Sequence, residues 1–140
     1  MSSITIHVAN ETDISELISL MRIYCDQSDE PHVPKPINDD LLHLCHQIFQ
    51  DPEHEGIYLI ARGDHHMIGF ASLFWSWPFT HYPGRRAILS DLFVISDARG
   101  EGVAYYFKLV KNKLVNDKLF IRLSGKQLSK IIPLKKLINN

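Results

Sequence analysis

The residues with most chemical content lie between Ala87 and Ala104. An apolar stretch, Ala87-Ile88-Leu89-Ser90-Asp91-Leu92-Phe93-Val94-Ile95, carries one carboxylate and leads into Arg99-Gly100-Glu101-Gly102-Val103-Ala104. A strand that enters a Gly-containing turn at the start of a helix is a physical anion site. The first N–H groups of the helix have no intrahelical partner, and the helix dipole favours negative charge there. Gly100 and Gly102 let the backbone approach a pyrophosphate, and Ala104 keeps the next position small. Taken alone the turn is a weak signal, because short Gly-rich turns before helices are common and a plain loop is the alternative. By strand alternation Asp91 shares a face with Leu89 and Phe93, where a carboxylate is either functional or solvated.

Other groups are less promising. His43 and His46 stand at i, i+3 and supply only two ligands, with Cys45 facing inward, so no zinc or other metal site is expected. His65 and His66 fall in a turn and read as solvent-exposed. Cys25 and Cys45 sit in helix-like segments and read as buried thiols of a cytoplasmic protein, not as a disulfide.

The elements that must position this turn follow from periodicity. Ile4 to Val8 alternates as a first strand. Thr12 or Asp13 caps a helix whose stripe is Ile14, Leu17, Ile18, Met21 and Cys25. Asp26 to Pro36 is a loop, and Asn38 caps a second helix with Leu41, Leu44, Cys45 and Ile48 inside. Three strands follow: Ile57 to Ala61, Met67 to Trp75 after the turn Gly63-Asp64-His65-His66, and Ala87 to Ile95. The helix after the turn carries Val103, Phe107, Val110 and Leu114, and Leu119 to Leu123 reads as a last strand. The order β-α-α-β-β-β-α-β is mixed α/β, also described as α+β.

The chain has 140 residues, 45% hydrophobic and 22% charged, which suits one soluble domain spanning 1–140 without disulfide or metal staples. No apolar run approaches the ~20 residues of a membrane span, and the N-terminus lacks a signal-peptide pattern. The net charge of −1 conceals a division. Residues 1–104 carry six Lys+Arg against fifteen Asp+Glu, whereas residues 105–140 carry nine against Asp117 alone.

The stretch from Ala87 to Ala104 resembles the GNAT superfamily of N-acetyltransferases. In that pattern an apolar strand precedes Arg/Gln-x-x-Gly-x-Gly/Ala at a helix start, and Arg99, Gly102 and Ala104 fill the three places. With the element order, the resemblance covers residues 3–104. It implies the GNAT-like acyl-CoA N-acyltransferase fold and acetyl-CoA as co-substrate, with no metal. Leu92, Phe93 and Val94 would pair through their backbones with the pantetheine arm, and Arg99, Gly100, Glu101, Gly102, Val103 and Ala104 would hold the pyrophosphate. Asp91 stands where related members carry an acidic residue and would be the general base that deprotonates a primary amine. A structural or substrate-binding carboxylate is the alternative. The acidic loop, with Asp29 and Glu30, lies where such proteins often admit the acceptor and would attract a cationic amine, unless it is only solvated. Among the aromatics Phe74, Trp75, Trp77, Phe79 and Tyr82, Trp75 is a candidate wall of the acceptor site, with core packing or a dimer contact as the alternative.

After Ala104 the resemblance fades. The family's closing strands are expected to be missing, and no tyrosine follows Tyr106 to protonate the leaving thiolate. The charge switch and the Lys/Leu/Ile/Asn bias read as a replaced end, such as a frameshift near residue 105 leaves. The rival is a short member that completes its sheet through a partner chain, as a homodimer. The leading expectation is therefore a cytoplasmic N-acetyltransferase acting on a small-molecule amine, with no membrane partner. The alternatives are a CoA-binding remnant without turnover and a nucleic-acid binder using the basic tail. The last is weak, because the tail's basic residues are nearly all Lys, without interleaved aromatics.

Overall fold

The computed structural model describes residues 4–27, 34–75, 87–116 and 132–133. The elements are β1 (Ile4–Val8), α1 (Ile14–Asp26), α2 (Asn38–Gln50), β2 (Gly56–Gly63), β3 (His66–Trp75), β4 (Ala87–Val94), α3 (Val103–Asn116) and β5 (Ile132–Pro133). The expected order is found through its first seven elements, β-α-α-β-β-β-α. The strands form one antiparallel sheet in the order β4-β3-β2-β1-β5. The expected strand at Leu119 to Leu123 lies outside the described residues. The pairing found instead sets Ile132 and Pro133 against Ile6 and Thr5.

Helices cover both faces. Leu17, Leu20, Met21, Leu41, Cys45 and Ile48 of α1 and α2 pack on Tyr58, Ile60, Phe70 and Phe93. On the other face Val103, Phe107 and Val110 of α3 pack on Ile57, Leu59, Ala71 and Leu73. The α3 stripe is therefore as the spacing predicts, although the Leu114 side chain lies outside the described residues. In α2 the expected inner residue Leu44 is instead 37% exposed. Cys25 and Cys45 are both free thiols, the first half-buried and the second buried.

Asp13 stands at the N-cap of α1, as expected, but its side chain makes no cap hydrogen bond there. Asn10, not Thr12 or Asp13, accepts from the Thr12 N–H at 2.9 Å, while the Asp13 carboxylate accepts the Asn10 N–H at 2.9 Å. A short 3-10 turn, Glu11–Asp13, thus precedes α1. Asp13 is spent on a larger task, since it also receives Arg62 at 2.7 Å and His7 at 3.2 Å. At α2 it is Asp40 that accepts the Ile37 N–H at 3.0 Å, and Asn38 is turned to Arg22. Between β2 and β3 the turn has two residues of positive φ, Asp64 (52°) and His65 (67°), matching the right-handed twist of a tight hairpin.

Candidate functional site

β4 forms one edge of the sheet, and no described residue pairs with its outer side. Its register with β3 runs Gly69↔Val94, Phe70↔Phe93, Ala71↔Leu92 and Ser72↔Asp91, then jumps to Leu73↔Leu89. Ser90 is the extra residue of a β-bulge, and a bulge re-aims the side chains around it. Leu89, Leu92 and Val94 pack with the α3 face, whereas Phe93 packs with α1 and α2. The expectation that Asp91 shares a face with Leu89 is corrected on this point: the bulge breaks the two-residue alternation between them.

Backbone direction along β4 follows from one bond. The Ile95 N–H donates to the Ile68 carbonyl at 2.9 Å. In an antiparallel ladder bonded and non-bonded pairs alternate, so Phe93 bonds inward to Phe70 while Leu92 and Val94 turn their N–H and C=O to the open edge. The Val94 carbonyl accepts the Arg99 Nε at 3.0 Å, and the Arg99 guanidinium lies 5.9 Å from the Phe93 ring centroid. Phe93 therefore contributes a side chain, not edge backbone.

Beyond Val94 the chain makes a 3-10 turn, Ser96–Ala98, anchored by the buried Ala98. Gly100 then takes φ +90° and Gly102 φ +79°, a left-handed region open to glycine and strained for L-residues. Val103, buried, pins the start of α3, and the first return bond runs from the Tyr106 N–H to the Gly102 carbonyl at 3.0 Å. No described group accepts from the N–H groups of Gly100, Glu101, Gly102, Val103 or Ala104. Successive free N–H groups around positive-φ glycines make an anion-binding concavity, reinforced by the α3 dipole. A Cβ at Gly100 would meet nothing within 4 Å, so the concavity has room beside it.

Asp91 is half-buried and accepts the Tyr24 O–H on Oδ1 at 3.1 Å. Tyr24 closes α1 over the sheet, with its ring 5.7 Å from Phe70 and 5.8 Å from Phe93. Burial, then the Asp91 charge and hydrogen bond, push the Tyr24 phenol above its ordinary range, so it stays a donor. Burial also raises the neighbouring Cys25 thiol. Cross-strand pairing places Tyr58, Ser72 and Asp91 in one row over β2, β3 and β4. The Tyr58 hydroxyl and the Ser72 Oγ in that row are buried without a described hydrogen-bond partner. Two spare donors thus lie on the same sheet row as the carboxylate.

One candidate falls elsewhere. Trp75, expected at the acceptor site, is buried in the α3-side core and donates its Nε1 to the Pro52 carbonyl, on the face away from Tyr24. Its place is a correction: β3 alternation turns Phe74 toward Tyr58 and Trp75 the other way. Asp29 and Glu30 lie outside the described residues, as do Trp77, Phe79 and Tyr82. His46 stands 3.7 Å from Glu11, and His43 is exposed. A cavity of about 160 Å³ between the end of α2 and the start of β2 is lined by no residue of β4 or α3.

Tyr24, Ser72 and Tyr58 were not singled out by the sequence reading. For Tyr24 a signal existed: Leu17, Leu20, Met21 and Tyr24 are spaced i, i+3, i+4, i+7 on one helix face.

A strand edge with no described partner, a glycine turn whose N–H groups meet no described acceptor and a helix behind it define an anion-binding strand–turn–helix unit in a mixed α/β fold. The family model of GNAT acetyltransferases matches residues 17–106, and the chain belongs to this family. Solved structures share the fold. An integron cassette protein from the mobile metagenome of Cole Harbour Salt Marsh has a TM-score of 0.69 at 20% identity, over 84% of this chain and 72% of that one. The aminoglycoside N-acetyltransferase AAC(6')-Iy in complex with CoA has a TM-score of 0.66 at 23% identity, over 84% and 72%. A predicted acetyltransferase with acetyl-CoA from Clostridium acetobutylicum has a TM-score of 0.62 at 23% identity, over 81% and 72%. No curated protein matches the chain.

Proposed function

We propose that the chain is an acetyl-CoA-dependent N-acetyltransferase that moves an acetyl group directly to a primary amine of a small molecule. The observation that carries this reading is the row of N–H groups from Gly100 to Ala104, without an acceptor among the described residues, at the end of a sheet edge that no described residue pairs. Those groups suit a pyrophosphate. The outward backbone groups of Leu92 and the Val94 N–H suit the amides of a pantetheine arm, which would lie along β4 as an added strand. Arg99 braces the junction between the two through the Val94 carbonyl.

The chemistry asked of the protein is modest. The amine nitrogen forms a bond to the acetyl carbon, the carbon–sulfur bond breaks, and the nitrogen's proton must leave. Asp91 is the carboxylate placed to take that proton, directly or through a water, as a general base. The thiolate takes its proton from solvent in this reading. Asp29 and Glu30 would draw a cationic amine toward the site by charge. The AAC(6')-Iy structure, an aminoglycoside N-acetyltransferase, supports a polyamine-like acceptor as the first panel to try.

A thiol-release assay against that panel tests the proposal. Turnover is expected, and Asp91→Asn should lower kcat/KM by about 10²–10⁴-fold while removing the acid limb of the pH profile. A variant with the parent's rate and profile would take Asp91 out of the base role. Binding of acetyl-CoA without any turnover would favour the second reading, a CoA-binding protein without an acid.

A further inference from the structure

We infer that Tyr24 is a positioning residue for this reaction: its phenol O–H fixes Oδ1 of Asp91 and leaves Oδ2, which no described group holds, to take the amine proton. This rests on the reading of Asp91 as the proton acceptor. The contact joins two elements 67 residues apart in sequence, and it is held by aromatic packing. Phe70 meets the Tyr24 ring edge-on at an interplanar angle of 85°, and Phe93 meets it at 58°. A ring gripped on two sides presents its hydroxyl in a single direction.

The groups around Asp91 leave this role to Tyr24. From α1 they are Tyr24 and Cys25, and from β2 the buried Tyr58. Ser72 faces it from β3 and does not titrate. Arg22 and Asp26 flank Tyr24 and Cys25 on α1 and pair with each other at 3.6 Å. No described Lys, Arg or His forms an ion pair with Asp91, so the carboxylate has a neutral donor and no fixed cation. That arrangement holds one carboxylate oxygen with a neutral donor and leaves the other to the amine.

The test uses the full chain and Tyr24→Phe, which keeps the ring and its packing. A hydrogen bond to the charged form favours that form, so losing it moves the acid limb of kcat/KM to higher pH. The expected loss is roughly 3- to 10-fold in kcat/KM at a pH on the limb. A limb that stays in place while stability or KM changes would overturn the inference and leave Tyr24 a packing residue. A second measurement needs no activity and no Tyr24 variant: in Asp91→Asn the Tyr24 ring ¹³Cζ signal should titrate at lower pH than in the parent. Coincident titrations would mean that the two groups do not touch in solution. Absence of turnover in the parent would count against the proposed function, whereas the ¹³C result would still decide the contact.

Discussion

Replacing Gly100 isolates the backbone geometry of the turn from its packing. Gly100 has φ +90°, and a Cβ built there meets no atom within 4 Å. Gly100→Ala therefore costs nothing in contacts, and its whole effect is the penalty of about 1–2 kcal/mol for an L-residue in left-handed backbone. That cost can appear in two places. If the turn keeps its shape, folding stability falls by that amount and acetyl-CoA affinity holds. If the turn relaxes, stability holds but the N–H groups lose their aim, and affinity falls by up to about 5- to 30-fold, at 1.4 kcal/mol per decade. Urea denaturation and calorimetry on the same protein measure both, and together they should account for about 1–2 kcal/mol. A series adds a gradient: Asn, which tolerates this region, should lose least, and β-branched Val most. A Gly100→Val protein with the parent's stability and affinity would refute the reasoning, because it would mean that positive φ is not needed.

Two further outcomes concern the scaffold. Asp13 is held below the usual carboxylate range: burial works against this, but Arg62, the Asn10 N–H and His7 outweigh it. Glu16 is lowered too, chiefly by Arg62. Carboxyls with depressed folded values add stability above their unfolded values, near 4, and lose it as pH falls through the folded ones. Arg62→Met should therefore cost about 1–3 kcal/mol at pH 7, kept low by the partial exposure of Arg62, and its deficit should shrink below about pH 4 in denaturation curves. A deficit independent of pH would assign the effect to packing. Gly69→Ala should lower Tm by about 3–10 °C, because its Cβ would sit 2.7 Å from the Phe93 carbonyl oxygen and 3.4 Å from the Phe107 ring. An unchanged Tm would show that β4 does not lie that close to β3.

Local pattern carried much of this molecule. The strand from Ala87, the glycine turn and the Val103, Phe107, Val110 stripe are contiguous, and each obeys its own period, so they are legible one at a time. The bulge at Ser90 is not, because it exists only in the register between β4 and β3. It follows that Leu89 and Asp91 look like face-mates in the sequence and are separated in the fold. Trp75 misled for a related reason: an aromatic beside a loop suggests a site wall, while strand alternation sends this one to the α3 core. The cap at Asn10 was hidden because Asp13 is drawn to Arg62, 49 positions away. Tyr24 was visible as part of a stripe, but its partner Asp91 lies on another element, and only the folded chain shows the pair.

On the proposed function, the turn after β4 receives the CoA pyrophosphate. A ¹H–¹⁵N NMR titration of the full chain with acetyl-CoA tests it residue by residue. The account predicts saturable one-to-one binding, with the largest amide shifts at Gly100, Glu101, Gly102, Val103 and Ala104 and a second group at Leu92 and Val94. No binding by the folded chain, or binding that leaves those amides unmoved, would contradict it.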